Sequence, residues 1–292
     1  MDKGRDIIIS PIFYMGNKKK LINKGLIDLF PKDIRTFIDC FSGSGIVSMN
    51  VKANRWVVND IDIHLNNFYD MFKKNNHKDI IKTIEENISR FDMNRGGVKQ
   101  NSPESLIYKP RYINLRNWAN GTCSYINIYT CMFFAFSQQM RFNNKGKFNM
   151  PFGNGCFSDK NKSYIKNGCQ FFQNENVLTT NKDFREIKIE NLSEEDFVYF
   201  DPPYFNTTAT YNENGGWQMK EEIDLLKLCE NLNEHNIKWG MSNVFKCKGK
   251  ENSHLIDWCN ENNWNVYYFD KFSYMACGKG NSEAQEVYIC NY

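Results

Sequence analysis

Apolar residues along this chain fall into two alternating patterns. Short runs at 36–40, 55–60, 197–201, 237–243, 264–270 and 286–292 are rich in Val, Ile, Phe, Tyr and Trp, which fit a pleated, half-buried surface. Between the runs, apolar positions recur at helical spacing. Residues 18–30 carry Leu21, Ile22, Leu26, Leu29 and Phe30 on one side, and Pro31 stops the pattern. The pattern returns at 220–234 with Ile223, Leu226 and Cys229, and at 79–89 with Ile80, Ile81, Ile84 and Ile88. Alternating strands and helices predict an α/β fold, a mostly parallel sheet with helices on both faces. The middle differs: after the helical stretch 79–89 the chain turns rich in Gly, Asn and Lys, and this middle part, 66–177, is predicted to be a separate lobe inserted into the α/β domain.

Composition narrows the class. The chain has 292 residues, 41% apolar and 24% charged, enough for a sizeable core and unlike disordered or collagen-like sequences. The longest apolar run, 129–136, falls far short of the roughly 20 residues needed to cross a bilayer. The first ten residues hold three isoleucines in a row, which is no signal peptide. A soluble, cytoplasmic protein with no membrane partner is expected. The 10 cysteines are scattered without a Cys-x-x-Cys pair, and none of the 4 histidines sits by such a pair. Reduced thiols used as small apolar residues are expected, and no metal.

Charge is unevenly placed. Residues 66–177 hold 11 Lys and 5 Arg against 4 Asp and 4 Glu, while the whole chain carries only +3. A basic segment thus sits in an acidic frame, as a polyanion-binding surface requires. Trp118, Tyr125, Phe142, Phe148 and Phe152 interleave with Arg111, Arg116, Arg141, Lys145 and Lys147. Stacking platforms beside phosphate-binding cations point to nucleic acid.

Two strand ends carry candidate chemistry. The run 36–40 enters a Gly43-Ser44-Gly45 turn, where glycine lets backbone approach a ligand closely. The next strand ends in Asp60, placed to accept both hydroxyls of a ribose. The full Gly-x-Gly-x-x-Gly fingerprint is absent, so an adenosyl ligand without a pyrophosphate fits better than a dinucleotide. The run 197–201 ends in Asp201-Pro202-Pro203-Tyr204. Two prolines fix the chain's exit from the sheet and leave a carboxylate, an outward carbonyl and an aromatic ring in one stiff cluster. Asp201 and the Pro202 carbonyl suit the two N–H groups of an exocyclic amine, with Tyr204 stacked on the base.

These residues resemble the Dam-like DNA adenine methyltransferases of the Asp-Pro-Pro-Tyr type, and the resemblance runs across most of the chain. Tyr14-Met15-Gly16-Asn17-Lys18 is similar to the family's N-terminal aromatic-x-Gly-Gly-Lys element. Asp39-Cys40-Phe41-Ser42-Gly43-Ser44-Gly45 resembles its glycine motif, and Asn59-Asp60-Ile61-Asp62 its ribose element. Residues 196–204 are similar to its catalytic motif in context. Arg141-Phe142-Asn143, with Gly146, Phe148, Asn149, Pro151 and Gly153, resembles its DNA-contacting segment. Asn17 stands for a glycine, Cys40 for a proline, and 154–177 matches no motif, although that neighbourhood should help read bases.

The resemblance implies a Rossmann-like S-adenosylmethionine-dependent methyltransferase sheet formed by 1–65 and 178–292. It implies a mostly helical target-recognition lobe with a β-hairpin at 66–177. The implied activity is methyl transfer from S-adenosyl-L-methionine to the exocyclic amine of adenine in double-stranded DNA, the base being flipped out and GATC the target. Tyr14, Lys18, Asp39, Phe41, Gly43, Gly45, Asp60 and Asp201 are the implied cofactor contacts. Asp201, Pro202, Pro203 and Tyr204 are the catalytic set. Arg141 and Asn143 are expected on bases, Lys145 and Lys147 on phosphates, with Phe142 and Asn149 beside them. A monomer or weak dimer, with a restriction endonuclease as counterpart, completes the expectation. Alternatives are methylation of an RNA adenine or of cytosine's exocyclic amine, a non-catalytic DNA-binding protein on a decayed methyltransferase fold, and, more distantly, a nicotinamide dehydrogenase. All of this requires Asp60 and Asp201 to meet on one rim of the sheet.

Overall fold

The computed structural model describes residues 6–93, 102–205, 217–247, 249–269, 272–273 and 283–292. Its sheet has the strands β1 (Thr36–Asp39), β2 (Arg55–Asn59), β3 (Val177–Thr180), β4 (Phe197–Phe200), β5 (Lys238–Cys247), β6 (Lys250–Glu251), β7 (Asn265–Tyr268), β8 (Phe272–Ser273) and β9 (Glu283–Cys290). The order is β3-β2-β1-β4-β5-β9-β7, with β6 on β5 and β8 on β9. The first five strands run parallel, and β9 is antiparallel to both its neighbours. The run expected at 264–270 is strand at Asn265–Tyr268, and Asp270 lies outside the described residues.

Side chains alternate across the strands and build a core on each face. On one face Phe37, Phe197, Tyr199 and Tyr288 pack with Leu21, Ile22, Leu26 and Phe30. On the other, Ile38, Val198, Phe200, Trp239 and Ile289 pack with Leu225, Leu226, Leu255 and Trp258. The helices responsible are α1 (Lys19–Asn23) on the first face, and α7 (Met219–Glu234) and α8 (Ser253–Glu261) on the second. The helix expected over 18–30 is broken. Gly25 adopts φ 95°, so α1 ends and a separate 3-10 turn carries Leu26–Leu29.

Between β2 and β3 lie α2 (Ile63–Lys74), α3 (His77–Arg90), α4 (Pro103–Ala119), α5 (Tyr125–Phe134) and α6 (Asp159–Phe172). Their common core includes Leu65, Phe68, Phe72, Ile84, Tyr112, Tyr129, Phe133 and Phe172. Inside it Asn87 donates to Asn127 Oδ1 (2.9 Å) and Thr130 Oγ1 (3.2 Å), so the buried amide is paired. Segment 154–177 supplies α6, whose Ile165, Cys169 and Phe172 are buried, and Phe172 stacks on Tyr69 of α2. The chain then enters β3, which its four-residue Val-Leu-Thr-Thr pattern did not reveal.

Candidate active site

The site starts from the parallel register. β1 lies between β2 and β4, pairing Asp39 with Val58 on one side and Tyr199 on the other. The three strands therefore end on one rim, where each delivers a carboxylate: Asp39 on β1, Asp60 just past β2 and Asp201 just past β4. Asp60 and Asp201 both raise the pKa of Asp39, and Asp201 raises that of Asp60, so the three share one electrostatic environment. This rim is where open α/β sheets hold ligands.

Backbone turns fix the ends of β1 and β2. The Ser42 hydroxyl reaches the carbonyls of Asp39 and Asn59, both at 2.9 Å, and clips β1 to β2. Gly43 then takes φ 52°, and its N–H donates to Asp60 Oδ2 (2.8 Å). Asp62 N–H donates to Asp60 Oδ1 (2.9 Å). Burial nonetheless pushes Asp60 up to about 6, against the pull of these two amides. The Tyr14 ring covers Gly43 so closely that a Cβ there would stand 3.0 Å from Cδ1. Gly45, φ 74°, sits over Phe172. Asp39 accepts the Ser48 hydroxyl on Oδ2 (2.7 Å), but its buried Oδ1 has no partner. Burial pushes this carboxyl up to about 8, so it is mostly neutral at pH 7.

Past β4, Lys18 is almost fully buried and its Nζ lies 2.6 Å from Asp201 Oδ1. The same ammonium stands 5.1 Å from the centre of the Tyr204 ring. Burial pushes Asp201 up to about 6, the Lys18 charge opposing it and Glu286 adding to it. Tyr204 donates its hydroxyl to Glu286 Oε2 (3.1 Å) on β9. Pro202 is buried, and Pro203 and Tyr204 are half-buried.

Residues 141–149 fold back as a small hairpin. Phe142 and Phe148 form an antiparallel bridge, and Gly146 turns the chain with φ 67°. Arg141 donates from Nε to Asn149 Oδ1 (2.9 Å). The Asn143 side-chain oxygen accepts the amides of Lys145 and Lys147, both at 3.0 Å, so it shapes the turn. Arg141, Asn143, Lys145 and Lys147 are exposed together, whereas Phe142 is half-buried against His64.

A family model for D12 class N6 adenine-specific DNA methyltransferase matches residues 14–275. The chain belongs to this family. It is 34% identical over 292 residues to the modification methylase StsI of Streptococcus sanguinis, covering 98% of this chain and 43% of that protein. Likeness to the Type II methyltransferase M.FokI of Planomicrobium okeanokoites is 33% over 297 residues, 99% of this chain and 44% of that protein. A DNA adenine methylase of Vibrio cholerae is 25% identical over 213 residues, 68% of each chain. The chain thus spans less than half the length of the first two relatives.

The D12-class fold adds Phe184, Trp217 and Glu286, which pattern reading passed over. Phe41 meets Phe184 (5.4 Å between ring centres) and Trp217 (5.5 Å), forming an aromatic wall beside the glycine turn. Phe184 follows β3, so missing that strand also hid the residue. Glu286 lies beyond the matched span and reads in sequence as one polar position in a strand. Among the described residues of this D12-class chain, no cluster of three or more His, Cys, Asp or Glu side chains is arranged to hold a metal ion. No helix among them is long and apolar enough to cross a membrane.

Proposed function

We propose that the chain transfers a methyl group from S-adenosyl-L-methionine to the exocyclic amine of adenine in double-stranded DNA, as a Dam-like enzyme of the Asp-Pro-Pro-Tyr type. The observation that carries this reading is the meeting of Asp60, the glycine turn and the Lys18–Asp201–Tyr204 corner on one rim.

The residues fit the methyl donor. Asp60 keeps lone pairs beyond those taken by two amides, enough for ribose hydroxyls. Phe41, Phe184 and Trp217 offer a wall for a purine. The unpartnered Asp39 Oδ1 and the Tyr14 ring seated on Gly43 suit the methionine end, with Lys18 and Gly45 flanking it. S-adenosyl-L-methionine supplies an electrophilic methyl carbon on a sulfonium.

Adenine's exocyclic nitrogen is a poor nucleophile because its lone pair is drawn into the ring. Asp201 and the Pro202 carbonyl accept its two N–H hydrogens, localise that pair and stabilise the ammonium that develops. Tyr204 stacks on the extruded base and offsets about 1–3 kcal/mol of the few kcal/mol that flipping costs. Fixed placement on the rim supplies much of the remaining acceleration.

In this reading 66–177 is the target-recognition lobe, with α2 and α6 also serving as cover for the sheet. Lys145 and Lys147 meet phosphates, and Arg141, held planar by Asn149, reaches base edges. Asn143 contributes through the turn it closes and through its remaining amide donors. A restriction endonuclease as counterpart belongs to this reading, two relatives being named a modification methylase and a Type II methyltransferase. GATC is the first target to test. The deciding experiment is methyl transfer from tritiated cofactor to DNA. Asp201→Ala should lose at least about a hundredfold in rate while still binding S-adenosyl-L-homocysteine. Near-normal methylation by that variant overturns the reading.

A further inference from the structure

The loop after β2 and the hairpin 141–149 belong to different halves of the site, and His64 touches both, the first with its backbone amide and the second with its ring. Asp60 holds the amide of Asp62 (2.9 Å), and Asp62 Oδ1 in turn accepts the amide of His64 (2.8 Å), capping α2. Asn66 donates to the carbonyls of Asp60 (2.8 Å) and Asp62 (3.1 Å), so the whole corner is tied to the helix. The imidazole of His64 then lies flat on Phe142, ring centres 3.6 Å apart and planes 3° from parallel.

The ring is also held by its edge. Asn67 Nδ2 donates to the Tyr125 hydroxyl oxygen (2.8 Å), and that hydroxyl is hydrogen-bonded to His64 Nδ1 (2.8 Å). Burial lowers the pKa of the imidazole and so favours its neutral form. On the far side Phe142 packs edge-on against Phe148 (5.8 Å), and a Cβ on Gly146 would stand 4.0 Å from His64 Cε1. Asn120 ties the hairpin to the helical lobe, bonding the N–H (2.8 Å) and the carbonyl (3.0 Å) of Phe148, and the His64 ring is its contact with the residue capped from the Asp60 corner.

We propose that His64 is a positioning residue that seats the DNA-contacting hairpin on the ribose-binding loop, so that filling the cofactor side tightens the grip on DNA. This rests on the reading of Asp60 and of 141–149 given above. A plain packing role would leave the two ligands independent. A positioning role makes their affinities interdependent, by the same factor in both directions.

The test is a pair of titrations on the full chain: a labelled duplex that the wild type methylates, with and without S-adenosyl-L-homocysteine, and the reverse. In the wild type each ligand should tighten the other about fivefold or more. His64→Ala should bring that factor below about twofold while leaving homocysteine-adduct affinity without DNA within about threefold. Phe142→Ala should give the same loss, which covers the case of a misfolded histidine variant. His64→Phe, which keeps the stack, should keep most of the effect. A wild type that binds both ligands independently, a His64→Ala chain that keeps the full factor, or an equal loss of adduct affinity without DNA overturns the inference alone. A wild type that methylates no duplex and does not bind S-adenosyl-L-homocysteine overturns the functional reading instead.

Discussion

Lys18 Nζ lies 2.6 Å from Asp201 Oδ1 and 5.1 Å from the centre of the Tyr204 ring, so one buried ammonium serves both the carboxylate and the aromatic of the Asp-Pro-Pro-Tyr corner. Burial raises Asp201 and Lys18 restrains it. The ion pair therefore sets the pH at which this corner can accept hydrogen bonds from an amine.

Asp201 accepts more strongly when ionised, so methyl transfer should rise with pH through about 6. Removing the ammonium in Lys18→Met should move this acid limb upward. It should also slow single turnover at pH 7.5 by about tenfold or more, the scale of one lost hydrogen bond to a charged group. Lys18→Arg should hold the limb in place. Single-turnover pH profiles decide it: an unmoved limb in Lys18→Met rejects the role.

Asp39 predicts a signature in stability. Its folded pKa, about 8, lies above the usual carboxylate value, so its contribution is full in acid and lost as pH rises towards 8. Asp39→Asn keeps a neutral group of the same shape. The unfolding midpoint of the variant minus that of wild type should grow from pH 5 to pH 8 and then level off. A difference that is flat or shrinks with pH contradicts a buried, neutral Asp39.

Gly43 tests the cradle. A side chain there must accept φ 52° and displace the Tyr14 ring. Gly43→Ala should weaken S-adenosyl-L-homocysteine binding by about tenfold or more, since the left-handed backbone alone costs about 1–2 kcal/mol. Calorimetry measures this directly. Unchanged affinity would mean that the ligand lies elsewhere on the rim.

The frame of this site was legible because its chemistry sits at strand ends. Asp60 and Asp201 each close a run of β-prone residues, and prolines and glycines mark the exits. Local pattern could not foresee β3, which has only four residues and follows a helix in a stretch without family motifs. Nor could it foresee the break at Gly25, where one left-handed residue divides an otherwise sound apolar stripe. Nothing in the sequence signals that the side-chain oxygen of Asn143, expected on bases, closes a turn with the amides two and four residues on. The stack of His64 on Phe142 joins distant parts of the chain and leaves no periodic trace in either.

The place of β9 has a further consequence. This late-made strand fills the interior gap between β5 and β7, and its Tyr288 occupies room that Gly240 leaves by lacking a side chain. During vectorial synthesis β5 must emerge with a bare hydrogen-bonding margin and wait for residues 283–290 to close it. A fragment cut before Glu283 would keep Asp60, Asp201 and the hairpin yet carry two raw margins, inviting self-association rather than yielding a smaller working unit.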